Sequence, residues 1–124
     1  MISKTIAIDG KMVEFKASAA IPRLYRIKFR RDIFQDIQKL AKAYEETIDK
    51  DKIFQIVDLE IFENMAYIMA KHANPDIPNT IEEWLEQFNV FSIYEILPVI
   101  LELWNLNQET LVISKKKLKQ VTGR

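Results

Sequence analysis

The segment Lys16-Ala-Ser-Ala-Ala-Ile-Pro-Arg-Leu-Tyr-Arg-Ile-Lys-Phe-Arg-Arg-Asp-Ile-Phe34 holds the signals from which the fold is read. Pro22 suits the opening of a helix, where a missing N–H costs nothing, and that helix is expected to run to about Phe29. Asp32 then starts another. Asp32-Ile-Phe-Gln35 has the spacing of a capping box, in which the carboxylate takes a first-turn N–H and Gln35 reaches back. Beyond it Ile33, Ile37, Leu40 and Tyr44 recur at helical spacing, with Phe34 and Ala41 widening the stripe.

Upstream, Thr5, Ile6 and Ile8 face Met12, Val13 and Phe15 across Asp9-Gly10. A two-residue Asp-Gly link suits a type I′ turn, because both residues tolerate positive φ. A hairpin of this size is marginal alone and is expected to lie on helices.

Downstream, Glu45–Lys52 is polar and reads as a loop. A long helix is expected from about Asp51 to Ala73, roughly 34 Å at 1.5 Å per residue. Its apolar positions, among them Phe54, Phe62, Met65 and Met69, cover more than one stripe, so the helix is either central to a bundle or covered by a partner. Asn74-Pro-Asp-Ile-Pro-Asn79 breaks the chain. Thr80-Ile-Glu-Glu83 is a second capping box, opening a short helix with Trp84, Leu85 and Phe88. Ser92-Ile-Tyr-Glu95 is a third, leading through Ile96, Leu97, Ile100, Leu101 and Trp104, with Pro98 expected to bend that helix or shift its start.

These signals predict a predominantly α-helical α+β fold, an N-terminal β-hairpin packed on a bundle of about five helices. Residues 1–112 read as one domain and 113–124 as a basic, flexible tail. At 124 residues with 7 Phe, 4 Tyr and 2 Trp there is enough apolar material for one core. Two glycines are too few for a sandwich or barrel. The absence of cysteine excludes disulfides and thiolate metal sites and suits a reducing cytoplasm. The run Ile96–Leu101 is far short of the roughly 20 residues of a membrane span. A soluble, cytoplasmic protein without a membrane partner is expected.

The formal charge of zero hides segregation. Residues 1–42 carry ten Lys/Arg against four Asp/Glu, residues 43–112 three against fourteen, and residues 113–124 five against none. The opposed fields either neutralise one another within a monomer or align neighbouring copies.

Little in the sequence carries catalytic chemistry. His72 is the single histidine, at the expected end of the long helix, where it suits the carbonyl end of the macrodipole. With no cysteine and one histidine, no transition-metal cluster can be drawn. Asp49-Lys-Asp51 begins like a calcium loop, but Phe54 stands where the required glycine would be. Gly10 and Gly123 cannot cradle a phosphate. The chain therefore reads as a non-enzyme without cofactor or metal. The basic stretch 23–31, with Tyr25 and Phe29, has the composition of a nucleic-acid contact. However, Tyr25 and Phe29 stand four apart, as core residues do, and the acidic middle repels a polyanion.

The hairpin, the Pro-started helix, Tyr25-Arg-x-x-Phe29 and the Asp-capped second helix together resemble the tail assembly chaperones of long-tailed, siphovirus-type phages and prophages. In that family a Tyr-Arg-x-x-Phe-Gly-Arg-Asp-like signature follows a short strand pair. Tyr25, Arg26, Phe29, Arg31 and Asp32 match it, and Arg30 replaces the usual glycine. Such a glycine suits a left-handed residue ending the first helix. Arg30 either adopts that conformation at a cost of about 1 kcal/mol or the link is built differently. The signature reads as fold specification: anchor, helix stop, cap.

The resemblance implies a chaperone for the tape-measure protein, the long helical molecule that sets tail length. Many copies would coat it, keep it soluble, recruit tail-tube protein subunits and associate with one another. Candidate walls for an apolar groove accepting helical segments are Phe54, Phe62, Met65, Met69, Tyr94 and Trp104. The resemblance also implies a longer frameshifted product, and Lys115-Lys-Lys117 is compatible with a slippery adenine run. The alternative reading is a small helical adaptor or regulator that binds nucleic acid through 23–31 and the tail.

Overall fold

Asp9 and Gly10 both take positive φ, 51° and 77°, so the link between the first two strands is a type I′ turn whose twist matches that of the strands. The structure, a computed structural model, describes residues 2–46 and 58–106. Strand β1 (Ile2–Ile8) pairs antiparallel with β2 (Lys11–Ala17), with Ile8 opposite Lys11, Ile6 opposite Val13 and Lys4 opposite Phe15. Strand alternation puts Ile8, Phe15 and Ala17 inside, with Ile2, Ile6 and Val13 partly buried beside them. Thr5 and Met12, expected to join the apolar face, lie on the outer one, and Met12 is 70% exposed.

The hairpin lies on helices, as its size requires. Helix α1 (Ile21–Phe29) begins one residue before Pro22. Helix α2 (Ile33–Glu46) follows, and the Asp32 carboxylate accepts from Phe34 N at 2.9 Å, the Asp half of the anticipated box. Helix α3 spans Leu59–Ala73, helix α4 Ile81–Leu85, and a fifth, α5, residues 93–106. Thr80 caps α4 by accepting from Glu83 N at 3.2 Å. Helix α5 runs through Pro98 and buries Ile93, Ile96, Leu97, Ile100, Leu103 and Trp104, the spacing of one face. The architecture is therefore the anticipated hairpin on a helical bundle. The loop expected over Glu45–Lys52 is helical at Glu45 and Glu46, which close α2, and its remainder, like the tail 113–124, lies outside the described residues.

Helix α3 is the centre. It packs against β2, α1, α2 and α4, and every residue from Asn64 to Ala70 is buried, so its broad apolarity is answered from all sides within the fold. It does not run unbroken from residue 51. Asp58 is extended (ψ 105°), and its carboxylate caps α3 by accepting from Glu60 N and Ile61 N. Asp58 thus starts α3, where the expected helix would have run on through it.

Side chains then tie the loops down. Lys71 donates to Pro75 O, Ile77 O and Asn79 Oδ1 at 2.7–2.9 Å. Tyr67 Oη donates to Pro78 O at 2.6 Å, so the two-proline loop is moored to α3. Tyr67, Trp84, Phe88, Phe91 and Phe62 form a chain of tilted and edge-on ring contacts, 5.2–5.6 Å between centroids, a favoured aromatic geometry. The hairpin turn grips the segment after α4: Asn89 N donates to Asp9 Oδ2 at 2.8 Å, and Lys11 donates to Gln87 O.

Candidate functional site

The signature residues converge on the α1–α2 corner. Helix α1 stops because Arg30 turns left-handed (φ 58°, ψ 36°) while its N–H bonds Arg26 O at 2.8 Å. The strained alternative is thus the one adopted, an arginine in the conformation that glycine takes freely. The corner swings Arg31 back over the first turn of α2. There its Nε and Nη2 donate to Asp36 Oδ2 and Oδ1 at 2.7 and 2.8 Å, a two-point fork matched to a carboxylate. Tyr25 Oη, from the buried face of α1, donates to Asp36 Oδ2 at 2.6 Å.

Asp36 is 2% exposed. Its pKa is held below the ordinary carboxylate value, chiefly by the Arg31 hydrogen bonds and further by Tyr25, against the upward push of burial. The Tyr25 hydroxyl is pushed well up, first by burial and then by Asp36. Among the described residues no buried side-chain polar atom lacks a partner. The buried members, Tyr25 and Asp36, have their polar atoms bonded within the cluster, which is what a structural lock needs, and Arg31 closes it from the surface at 46% exposed.

Asp36 was not among the residues singled out from the sequence. The signal was present, because it stands between Ile33 and Ile37 inside the apolar stripe of α2, where a carboxylate needs a buried partner. Of the signature set, Tyr25 and Arg31 enter the lock, and Asp32 caps α2. Phe29 packs on Tyr25 with centroids 4.9 Å apart. Arg26 faces solvent.

The anticipated apolar groove is corrected. Phe62, Met65, Met69 and Trp104 are 1%, 0%, 0% and 4% exposed, because β2, α1, α2 and α4 close around α3 and Phe34 stands edge-on to Trp104. Phe54 lies outside the described residues. Tyr94 alone of the set is open, at 44%. The large apolar side chains that reach solvent are others: Met12, Ile27, Phe34, Leu59, Val90 and Leu106.

His72 Nε2 lies 2.9 Å from Ser18 Oγ, which also accepts from Ala20 N at 3.2 Å. The direction of that bond follows the tautomer of the imidazole, because the hydroxyl has a second lone pair as well as its own proton. Burial, then Lys16, lowers the His72 pKa, which keeps the ring neutral. Among the described residues no carboxylate bonds the ring to orient it as a base, so the pair fastens the end of β2 to α3. No group of three potential metal ligands occurs among the described residues, and no described helix is long and apolar enough to cross a membrane.

The outer side of the corner is open. Arg23, Arg26, Arg30, Arg31 and Phe34 line a cleft of about 570 Å³ between α1 and the start of α2. No protein-family model matches the chain, and no curated protein or solved structure is significantly similar to it.

Proposed function

We propose that this chain is a non-enzymatic assembly chaperone for a tail tape-measure protein, acting in the bacterial cytoplasm and recruiting tail-tube subunits. The observation that carries the reading is the left-handed backbone of Arg30. It stands where the resembled signature has a glycine, a residue whose usual purpose at a helix end is that conformation. A left-handed residue at that position supports the reading. Two further features support it. The core is filled by the chain's own side chains, so a partner is met on the outside, where Ile27, Phe34, Leu59 and Val90 are exposed. The basic N-terminal third and acidic middle supply complementary fields for self-association.

The test is co-expression with a long helical tape-measure fragment. The chaperone reading expects the fragment to move from the pellet to the soluble fraction and to co-purify with this chain. A fragment that stays insoluble at matched expression overturns it. The nucleic-acid alternative expects a mobility shift of DNA at moderate salt with a steep salt slope.

A further inference from the structure

The outward face of α1 carries Arg23, Arg26 and Arg30 around Ile27, which is 59% exposed. At about 100° per residue these four positions share one sector, opposite buried Ile21 and Tyr25. Phe34, 45% exposed, belongs to the same cleft from the α2 side. Among the described residues no carboxylate forms an ion pair with Arg23, Arg26 or Arg30, whereas Arg31 is satisfied by Asp36. Arg30 keeps a guanidinium at the cleft edge despite a backbone that glycine would occupy without strain. An outlier retained at a surface cleft is a pointer to use.

We propose that this cleft and the adjoining face of α1 dock an acidic amphipathic helical segment of a partner protein, with carboxylates paired to Arg23, Arg26 and Arg30 and apolar side chains seated on Phe34 in the cleft and on Ile27 beside it. Charge complementarity sets the sign of the occupant, and the interleaved apolar residues set its class. A nucleic-acid strand is held by stacking its bases on aromatic rings, and the outward face of α1 offers the aliphatic Ile27 in their place. A helix with Glu three and four residues apart sets their β-carbons about 5–6 Å apart on one face, the same spacing as the arginines at 23, 26 and 30, and keeps Leu between them. Arginine is suited to this because its planar fork pairs with a carboxylate at two points. This deepens the chaperone reading and rests on it only for the partner's identity.

The test uses the full chain and a fluorescent amphipathic peptide of about five helical turns, with Glu on its polar face and Leu on the other. A matched Lys-for-Glu peptide and a single-stranded oligothymidylate serve as rivals. Arg23→Glu/Arg26→Glu and Ile27→Ser change exposed positions, and thermal melts check that the fold persists. The Glu peptide is expected to bind, to weaken with salt, and to lose about tenfold in affinity with either variant, while the Lys peptide does not bind. The proposal is overturned by no binding of the Glu peptide, by undiminished binding to folded variants, or by oligothymidylate binding that the peptide cannot displace. A wild-type oligomer that Arg23→Glu/Arg26→Glu dissociates would also overturn it, since a second copy would then hold the cleft. If that variant solubilises the tape-measure fragment as well as the wild type does, the cleft assignment fails and the chaperone reading stands. If the wild type cannot solubilise it, the chaperone reading fails and the peptide result is untouched.

Discussion

Arg31 holds Asp36 by two hydrogen bonds, Nε to Oδ2 at 2.7 Å and Nη2 to Oδ1 at 2.8 Å, across the corner between α1 and α2. With Tyr25 bonding the same carboxylate, one buried charge fastens two helices to each other. Replacing Asp36 by Ala orphans the buried Tyr25 hydroxyl and takes the ion pair from Arg31, which at 46% exposed turns to water, so a larger loss than that of Tyr25→Phe is expected. Tyr25→Phe leaves the Arg31 fork in place and is expected to cost about 1.5 kcal/mol, the worth of one bond to a charged group. Urea titrations that found the two substitutions equally mild would mean that Asp36 is solvated.

The same pair sets a pH dependence. Because the folded-state pKa of Asp36 is lowered, the unfolded chain binds more protons as pH falls below about 4. Its stabilisation is complete above that value and is lost through the lower folded pKa. His72, also lowered, acts with the same sign at higher pH: its contribution is present above about 6.5 and declines on acidification. Glu63 opposes them, since burial, then Glu60, raise its pKa, and its contribution is lost as pH rises through that raised value. Stability should therefore fall in two stages between neutral pH and pH 3. His72→Gln should flatten the first stage and Asp36→Asn the second, as followed by urea midpoints.

Arg30→Gly should stabilise the fold by about 1 kcal/mol by removing left-handed strain, and Arg30→Val should destabilise it, because a branched β-carbon fits that region worst. Gly10→Ala should cost about 1 kcal/mol through conformation alone, since a β-carbon there would meet nothing within 4 Å. Thermal melts of the three variants give the ranking, and an unchanged melting temperature for Arg30→Gly would rule out the left-handed corner.

Met65, Met69 and Trp84 are at most 1% exposed, so their replacement by Ala should behave as core loss: about 2–5 kcal/mol each, with Trp84 at the upper end because it joins Tyr67, Phe88 and Phe91. Denaturant curves measure this directly. A folded, unperturbed Met69→Ala that lost partner binding would restore the groove in place of the core.

Features governed by neighbours a few residues away were readable in advance. The Asp9-Gly10 turn, the starts of α1 and α2, the Thr80 cap and the spacing of α5 all follow from backbone sterics and the four unpaired N–H groups at a helix start. The fate of Asp58 was not readable, since a lone Asp within an apolar run serves equally as solvent face or cap until the chain's path is known. The Asp36 lock was marked only by a carboxylate in an apolar stripe, and its partners are 5 and 11 residues away.

Elements and their ends were thus set by the chain's local chemistry, because caps, turns and periodicity act over one or two helical turns. Which apolar faces meet and which stay bare was set by folding, because burial depends on groups remote in sequence. Phe62 and Met65 look the same as Ile27 and Phe34 when read as letters. The first two are enclosed in the core around α3, Phe62 against Phe91, and the second two remain at the surface beside the arginines.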